Sequence, residues 1–155
     1  KESSHGVCAN IDKNGFIGEV GELADASPFN LENTIMNTLG IEIVEYTPER
    51  VVATMPVTPK THQPFGLMHG GVSVVIAETV ASAGSYQFID KETQRAVGLE
   101  INANHIRSVS DGVVKAIGTP VHIGRTTIIW DIRIYNEEEK LVCISRCTMA
   151  VIPAR

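Results

Sequence analysis

Apolar and polar positions alternate along "IEIVEYTPERVVATMPV" (41–57), on either side of Thr47-Pro48-Glu49-Arg50. That pattern predicts a β-hairpin. Just before it, in "SPFNLENTIMNTLG", Leu31, Ile35 and Leu39 recur at helical spacing. A short helix is expected there, capped by Ser27 or Asn30 and ended by Gly40. "TPKTHQPFG" (58–66) carries two prolines and a glycine and reads as a loop. From His69 to about Gln87 runs the longest helical candidate. Its Val72, Val74, Val75, Ile76, Ala77, Val80 and Ala81 are apolar on nearly all sides, which predicts a helix buried all round. After Asp90 the periodicity changes to that of strands. "RAVGLEINANHIRSV", "VVKAIGTPVHIG", "RTTIIWDIRIYN" and "LVCISRCTMAVIP" follow one another, with turns at Ser110-Asp111-Gly112 and in "EEEK". No strand–helix–strand alternation repeats, so a parallel nucleotide-binding sheet is disfavoured. The expected class is α+β: one antiparallel sheet of five or six strands, with the long helix covering its apolar face.

Length adds a bound. A chain of 155 residues fits one domain with a tail. Residues 1–27 are weakly patterned and Gly-rich. They are expected to form an N-terminal extension, partly disordered or derived from an expression vector, and 28–155 to form the domain. Because the first residue is Lys1, the native start is expected to lie upstream. The net charge of −5 argues against a nucleic-acid partner, which needs a basic face. No apolar run approaches the length of a membrane span, and no signal-peptide pattern occurs, so no membrane partner is expected. Cys8, Cys143 and Cys147 are odd in number and form no CxxC. Cys143 and Cys147 lie roughly 13 Å apart at strand rise, too far for a disulfide. Reduced thiols and a cytoplasmic location are the expectation.

One residue on the long helix stands out. Glu78 is surrounded at helical spacing by positions 74, 75, 77, 81 and 82, none of them charged. Most glutamates on helices are plain surface carboxylates. In an apolar setting, however, a carboxylate is costly unless it is paired or protonated, and such acids are frequently functional. His69, Gly70 and Gly71 mark the point where the loop becomes helix. The first N–H groups of a helix lack internal partners and carry the positive end of its dipole. Glycine lets a ligand oxygen approach them, which suits a carbonyl that gains charge in acyl transfer. Nine residues separate His69 from Glu78, roughly 13.5 Å along an ideal helix and on the opposite face. Both can act on one carbonyl only if they come from different subunits of a two-fold dimer.

The stretch "QPFGLMHGGVSVVIAETVASAGS" resembles the hotdog-fold acyl-CoA thioesterases, and the likeness extends from about residue 30 to 153. "VGLEINANHIRSV", "VHIGRTTIIWDI" and "CISRCT" resemble the branch that contains the 1,4-dihydroxy-2-naphthoyl-CoA thioesterases. The resemblance implies a curved antiparallel sheet wrapped around a long central helix, with subunits paired through their sheets. It also implies a homo-oligomer, a dimer at least and a tetramer by family likeness. It further implies that the Gly70 N–H polarises the thioester carbonyl, that His69 helps position it, and that Gln63 orients the carbonyl or a water. Glu78 of the facing subunit would be nucleophile or general base, and Ser82, one turn on, would hold Glu78 or the water.

Coenzyme A, as part of the substrate, brings phosphate charges that need cations. By the same resemblance, Asn104, His105 and Arg107 at one strand end lie near the nucleotide, as do His122, Gly124 and Arg125 at the next turn. Arg107 and Arg125 suit bidentate phosphate pairing. Pro64, Phe65, Leu67 and Met68 are candidates for an apolar acyl pocket, and the branch favours an aromatic acyl group. Arg146 is expected to pair with an acid on a neighbouring strand, and His62 to be exposed. No cofactor or metal is expected: no two histidines have the i, i+4 spacing of a helical zinc site, and G-x-S-x-G is absent. Two rival readings are a hydratase or dehydratase on the same fold, and a non-catalytic acyl-CoA sensor.

Overall fold

The computed structural model describes residues 10–11, 17–18 and 29–154. The chain divides into two units, 1–30 and 31–155. In the first, β1 (Asn10–Ile11) and β2 (Ile17–Gly18) form an antiparallel pair in which Ile11 faces Ile17. The remainder of the expected 1–27 extension lies outside the described residues.

The second unit holds α1 (Ile35–Leu39), β3 (Glu42–Tyr46), β4 (Val51–Pro56), α2 (Gly70–Ser85), β5 (Gln94–His105), β6 (Val113–Ile123), β7 (Thr127–Tyr135) and β8 (Leu141–Pro153). All six strands join one antiparallel sheet in the order β3-β4-β6-β7-β8-β5. α2 lies across β4 to β8, so the sheet wraps the helix as expected. Glycine at two sheet–helix contacts makes the approach close. A β-carbon on Gly118 would stand 2.3 Å from Val80 Cγ1, and one on Gly84 would stand 2.2 Å from the Trp130 ring. Trp130 itself is fully buried, and its indole N–H donates to Ser85 Oγ at 2.8 Å, which satisfies both polar groups inside the core. Ile76, Ala77, Val80 and Ala81 are fully buried against this face. Burying each Val- or Ile-sized side chain contributes about 1.5–3 kcal/mol.

Two expectations need correction. α1 is shorter than its pattern, because Asn33 takes a left-handed φ of 58° and breaks the run before Ile35. Thr34, not Ser27 or Asn30, is the cap: its hydroxyl accepts from the Asn37 N–H and donates to the Leu31 carbonyl. Gly40 ends the helix at φ 68°, as expected. Nor is α2 buried all round in one chain. Val72, Val74, Val75, Glu78, Thr79 and Ser82 are only half-buried, since a single sheet covers one side. On the sheet, β5 is an edge strand and exposes Val97 (40%) and Leu99 (64%). Among the described residues, no helix is long and apolar enough to cross a membrane.

Candidate active site

The loop before α2 is held at several points. Pro59–Thr61 form a single 3-10 turn, and the buried Thr61 hydroxyl donates to Thr58 O at 2.9 Å. His69 N–H reaches Thr61 O at 2.8 Å, and Met68 N–H reaches Val109 O at 2.7 Å. Between these anchors, Gln63-Pro64-Phe65-Gly66 makes a turn closed by Gly66 N–H on Gln63 O at 2.9 Å. Gly66 has φ +76°, a conformation that favours glycine. The side-chain oxygen of Gln63 accepts from the Phe65 N–H, so its amide NH₂ remains as the donor end.

His69 is the N-cap of α2, and its Nδ1 accepts from the Gly71 N–H at 2.9 Å. In the neutral ring the proton therefore sits on Nε2, and His69 presents a donor. Gly70 packs against a second imidazole: a β-carbon there would lie 2.7 Å from His105 Nε2. Gly70 and His105 border a cavity of about 310 Å³ that Gln63, Met68, Ser73 and Arg107 help to line; His69, the cap, is exposed and does not line it. His105, expected at the nucleotide, thus stands at the helix start.

Glu78 lies eight residues beyond Gly70, about 12 Å along the axis, and does not line that cavity. It is half-buried, and its carboxylate makes no hydrogen bond or ion pair among the described residues. Ser82 follows one turn later, also half-buried, and no hydrogen bond joins the two. Glu78 Oε1 rests over Gly98 of β5, beside the irregularity between Gly98 and Glu100. The fully buried Cys147 lies within reach of its charge. Burial, and then the charges of Glu78 and Glu100, push the Cys147 thiol up to about 12. Cys143 is likewise buried and unbridged.

One chain therefore gathers Gln63, Met68, Gly70, His105 and Arg107, and keeps Glu78 and Ser82 apart from them. Asn104 and Arg107 are exposed near the end of β5. His122 and Arg125 are exposed at the β6–β7 turn, where the His122 ring lies against Gly124. Phe65 is 88% exposed and does not line the cavity, whereas Leu67 and Met68 do. Two minor expectations fail. His62 is half-buried, its Nε2 2.8 Å from Ser110 O, because the loop folds back onto the β5–β6 turn. Arg146 is exposed opposite Asp131, but that acid takes Arg133 at 3.2 Å, its neighbour two places along the same strand. Sequence reasoning passed over Gly98 and Ser73. A glycine inside a strand pattern is the signal that could have marked the first.

The profile described as "Thioesterase superfamily" matches residues 65–143, which include the helix start, Glu78 and the whole of β5. ComA2 of Bacillus subtilis is 63% identical over 123 residues, 79% of this chain and 98% of that protein. The chain belongs to the thioesterase superfamily. It is a thioester hydrolase of the hotdog fold. The 1,4-dihydroxy-2-naphthoyl-CoA hydrolase of Listeria monocytogenes is 50% identical over 117 residues, 76% of this chain and 94% of that one. Among solved structures, a mutant of thioesterase PA1618 from Pseudomonas aeruginosa superposes with TM-score 0.78 at 47% identity, over 80% of this chain and 89% of that one.

Proposed function

We propose that the chain hydrolyses an aromatic acyl-CoA to the free acid and CoA, at sites shared between two subunits of a homo-oligomer. The separation of Glu78 from Gly70 along one rigid helix carries this reading. The helix start offers the donors that a developing oxyanion needs: the Gly70 N–H, the Nε2–H of His69 and the Gln63 amide. Glu78, half-buried eight residues on and without a partner among the described residues, belongs to the same reaction only if a second copy supplies it. The free edge of β5, with Val97 and Leu99 exposed on either side of Gly98, suits that second copy. Two structural neighbours from Staphylococcus aureus were crystallised as alanine variants of a glutamine and of a glutamate fifteen residues apart, the interval between Gln63 and Glu78.

In this reaction the carbonyl oxygen sits in the donors of one subunit. Glu78 of the facing subunit then acts by one of two routes. As nucleophile its carboxylate oxygen bonds to the carbonyl carbon, the C–S bond breaks, and water opens the resulting anhydride. As general base it takes a proton from the water that attacks. Label found in the Glu78 carboxylate after single-turnover hydrolysis in ¹⁸O-water requires the first route, with water opening the anhydride at the Glu78 carbonyl; rapid quench for a covalent acyl-enzyme tests that route when water attacks the acyl carbonyl instead. The His69 tautomer disfavours the hydratase reading, since a ring that carries its proton on Nε2 has no free lone pair there to act as a base.

An aromatic acyl group is supported by the relatives named 1,4-dihydroxy-2-naphthoyl-CoA hydrolase in Listeria monocytogenes and Escherichia coli. Arg107 at the cavity and Arg125 at the β6–β7 turn are the proposed phosphate partners. Thiol release measured across benzoyl-, hydroxynaphthoyl- and straight-chain acyl-CoAs tests the reading. It stands if aromatic thioesters have the higher kcat/KM. Faster turnover of the aliphatic series overturns the acyl assignment, and turnover of none overturns the function.

A further inference from the structure

Four polar residues are buried in the described fold: Thr61, Ser73, Ser85 and Ser145. Three have partners. Thr61 donates to Thr58 O, Ser85 accepts from Trp130, and Ser145 donates to Asn102 O. Ser73 is 1% exposed and makes no side-chain hydrogen bond among the described residues, yet no side-chain oxygen there is both sealed from solvent and unpartnered, so what opening Ser73 has is at its hydroxyl. A helical serine commonly returns its hydrogen bond to the carbonyl four residues back. Here that carbonyl, His69 O, instead accepts the Val72 N–H at 3.0 Å. A serine otherwise enclosed that keeps its hydroxyl open is placed to meet a ligand or a water.

What Ser73 faces names that ligand. It lines the cavity beside Gly70, three residues and about 4.5 Å further along the same side of α2. The apolar Val109 and Val142 and the exposed Arg107 line the same cavity. The cavity thus holds both the proposed carbonyl donor and a cation suited to phosphate. The part of an acyl-CoA that joins those two places is its pantetheine arm, and the first polar group on that arm is an amide two methylenes from the sulfur. We propose that the Ser73 hydroxyl hydrogen-bonds this amide, so that the enzyme selects thioesters carried on a cysteamine-amide arm. The inference rests on the thioesterase reading above.

The test compares the intact protein with Ser73→Ala on three thioesters of one acyl group. Benzoyl-CoA and benzoyl-N-acetylcysteamine both keep the amide, and S-butyl thiobenzoate lacks it. The substitution is expected to lower kcat/KM about tenfold on the first two and to leave the third within about twofold, because an unmet buried partner penalises only the ligand that needs it. Tm is expected to hold or rise, since only an unpartnered hydroxyl is removed. An equal loss on all three substrates, or no loss on any, overturns the proposal. A loss that depends on a ring hydroxyl, read with 2-hydroxybenzoyl against benzoyl thioesters, also overturns it and moves Ser73 to the acyl side. Failure of the unaltered protein to hydrolyse any thioester removes the thioesterase reading itself, an outcome distinct from these.

Discussion

Glu78 Oε1 lies so close over Gly98 that a β-carbon at position 98 would stand 2.1 Å from it. The obstruction comes from the far end of a flexible side chain, which can swing away without disturbing either backbone. Gly98→Ala is therefore expected to leave Tm and assembly nearly unchanged while it moves the carboxylate. A displacement of about 1 Å at a reacting group lowers turnover by up to about 10²-fold. Steady-state kinetics should show the loss in kcat, with KM changed much less. A variant that melts early, or that keeps full kcat, would show that Gly98 serves the strand and not the acid.

Replacing the acid itself separates chemistry from packing. Glu78→Gln keeps the volume and the half-buried position but can neither attack a carbonyl nor accept a proton. Hydrolysis should fall by about 10³-fold, in the range of a lost acid–base or nucleophilic group. Light scattering should find the same oligomer, because the carboxylate makes no ion pair within its own described surroundings. Turnover within tenfold of the unaltered protein would take the role away from Glu78.

The contrast between these two positions shows what the chain's pattern carries. Glu78 could be singled out from local spacing alone, because a charge inside the apolar run 72–81 is anomalous wherever the helix packs. The helix start was legible for the same reason, its glycines and histidine being neighbours in sequence. Gly98 was not, since its importance depends on β5 lying beside β8 at the sheet edge, and strand alternation carries no information about strand order. Ser73 was hidden by its ordinary helical context; only the missing partner and the cavity distinguish it. α1 was misjudged because a single left-handed Asn33 outweighs the apolar spacing around it.

Cys147 gives a pH dependence with a definite sign. Its thiol holds its proton more tightly in the folded chain, up to about 12, than an unfolded thiol does at about 8.5. A pKa raised on folding contributes stability that is complete below about pH 8.5 and is lost as pH rises toward 12. Urea unfolding midpoints should therefore decline between about pH 9 and 11, and Cys147→Ala should flatten that decline. Glu78 is one of the charges that raise this thiol, after burial. Glu78→Gln should accordingly lower the Cys147 pKa. Thiolate absorbance near 240 nm, in a background with Cys8 and Cys143 replaced by alanine, reads the shift directly. No shift would place the carboxylate away from the sulfur in solution.

Subunit sharing can be tested with two inactive chains. Glu78→Gln loses the acid and keeps the helix start, whereas a Gln63→Ala, His69→Ala double variant loses two of the three donors and keeps the acid. In a two-fold dimer of one chain of each kind, one site combines both defects and the other is wholly intact. Random mixing makes about half of the dimers mixed, so about a quarter of all sites regain full composition. Co-refolding the two variants in equal amounts should restore about a quarter of the unaltered activity, although each alone has almost none. If Glu78 instead served the helix start of its own chain, every site in every dimer would stay defective and mixing would restore nothing. Recovery therefore depends on the carboxylate crossing between subunits, and its size counts the sites.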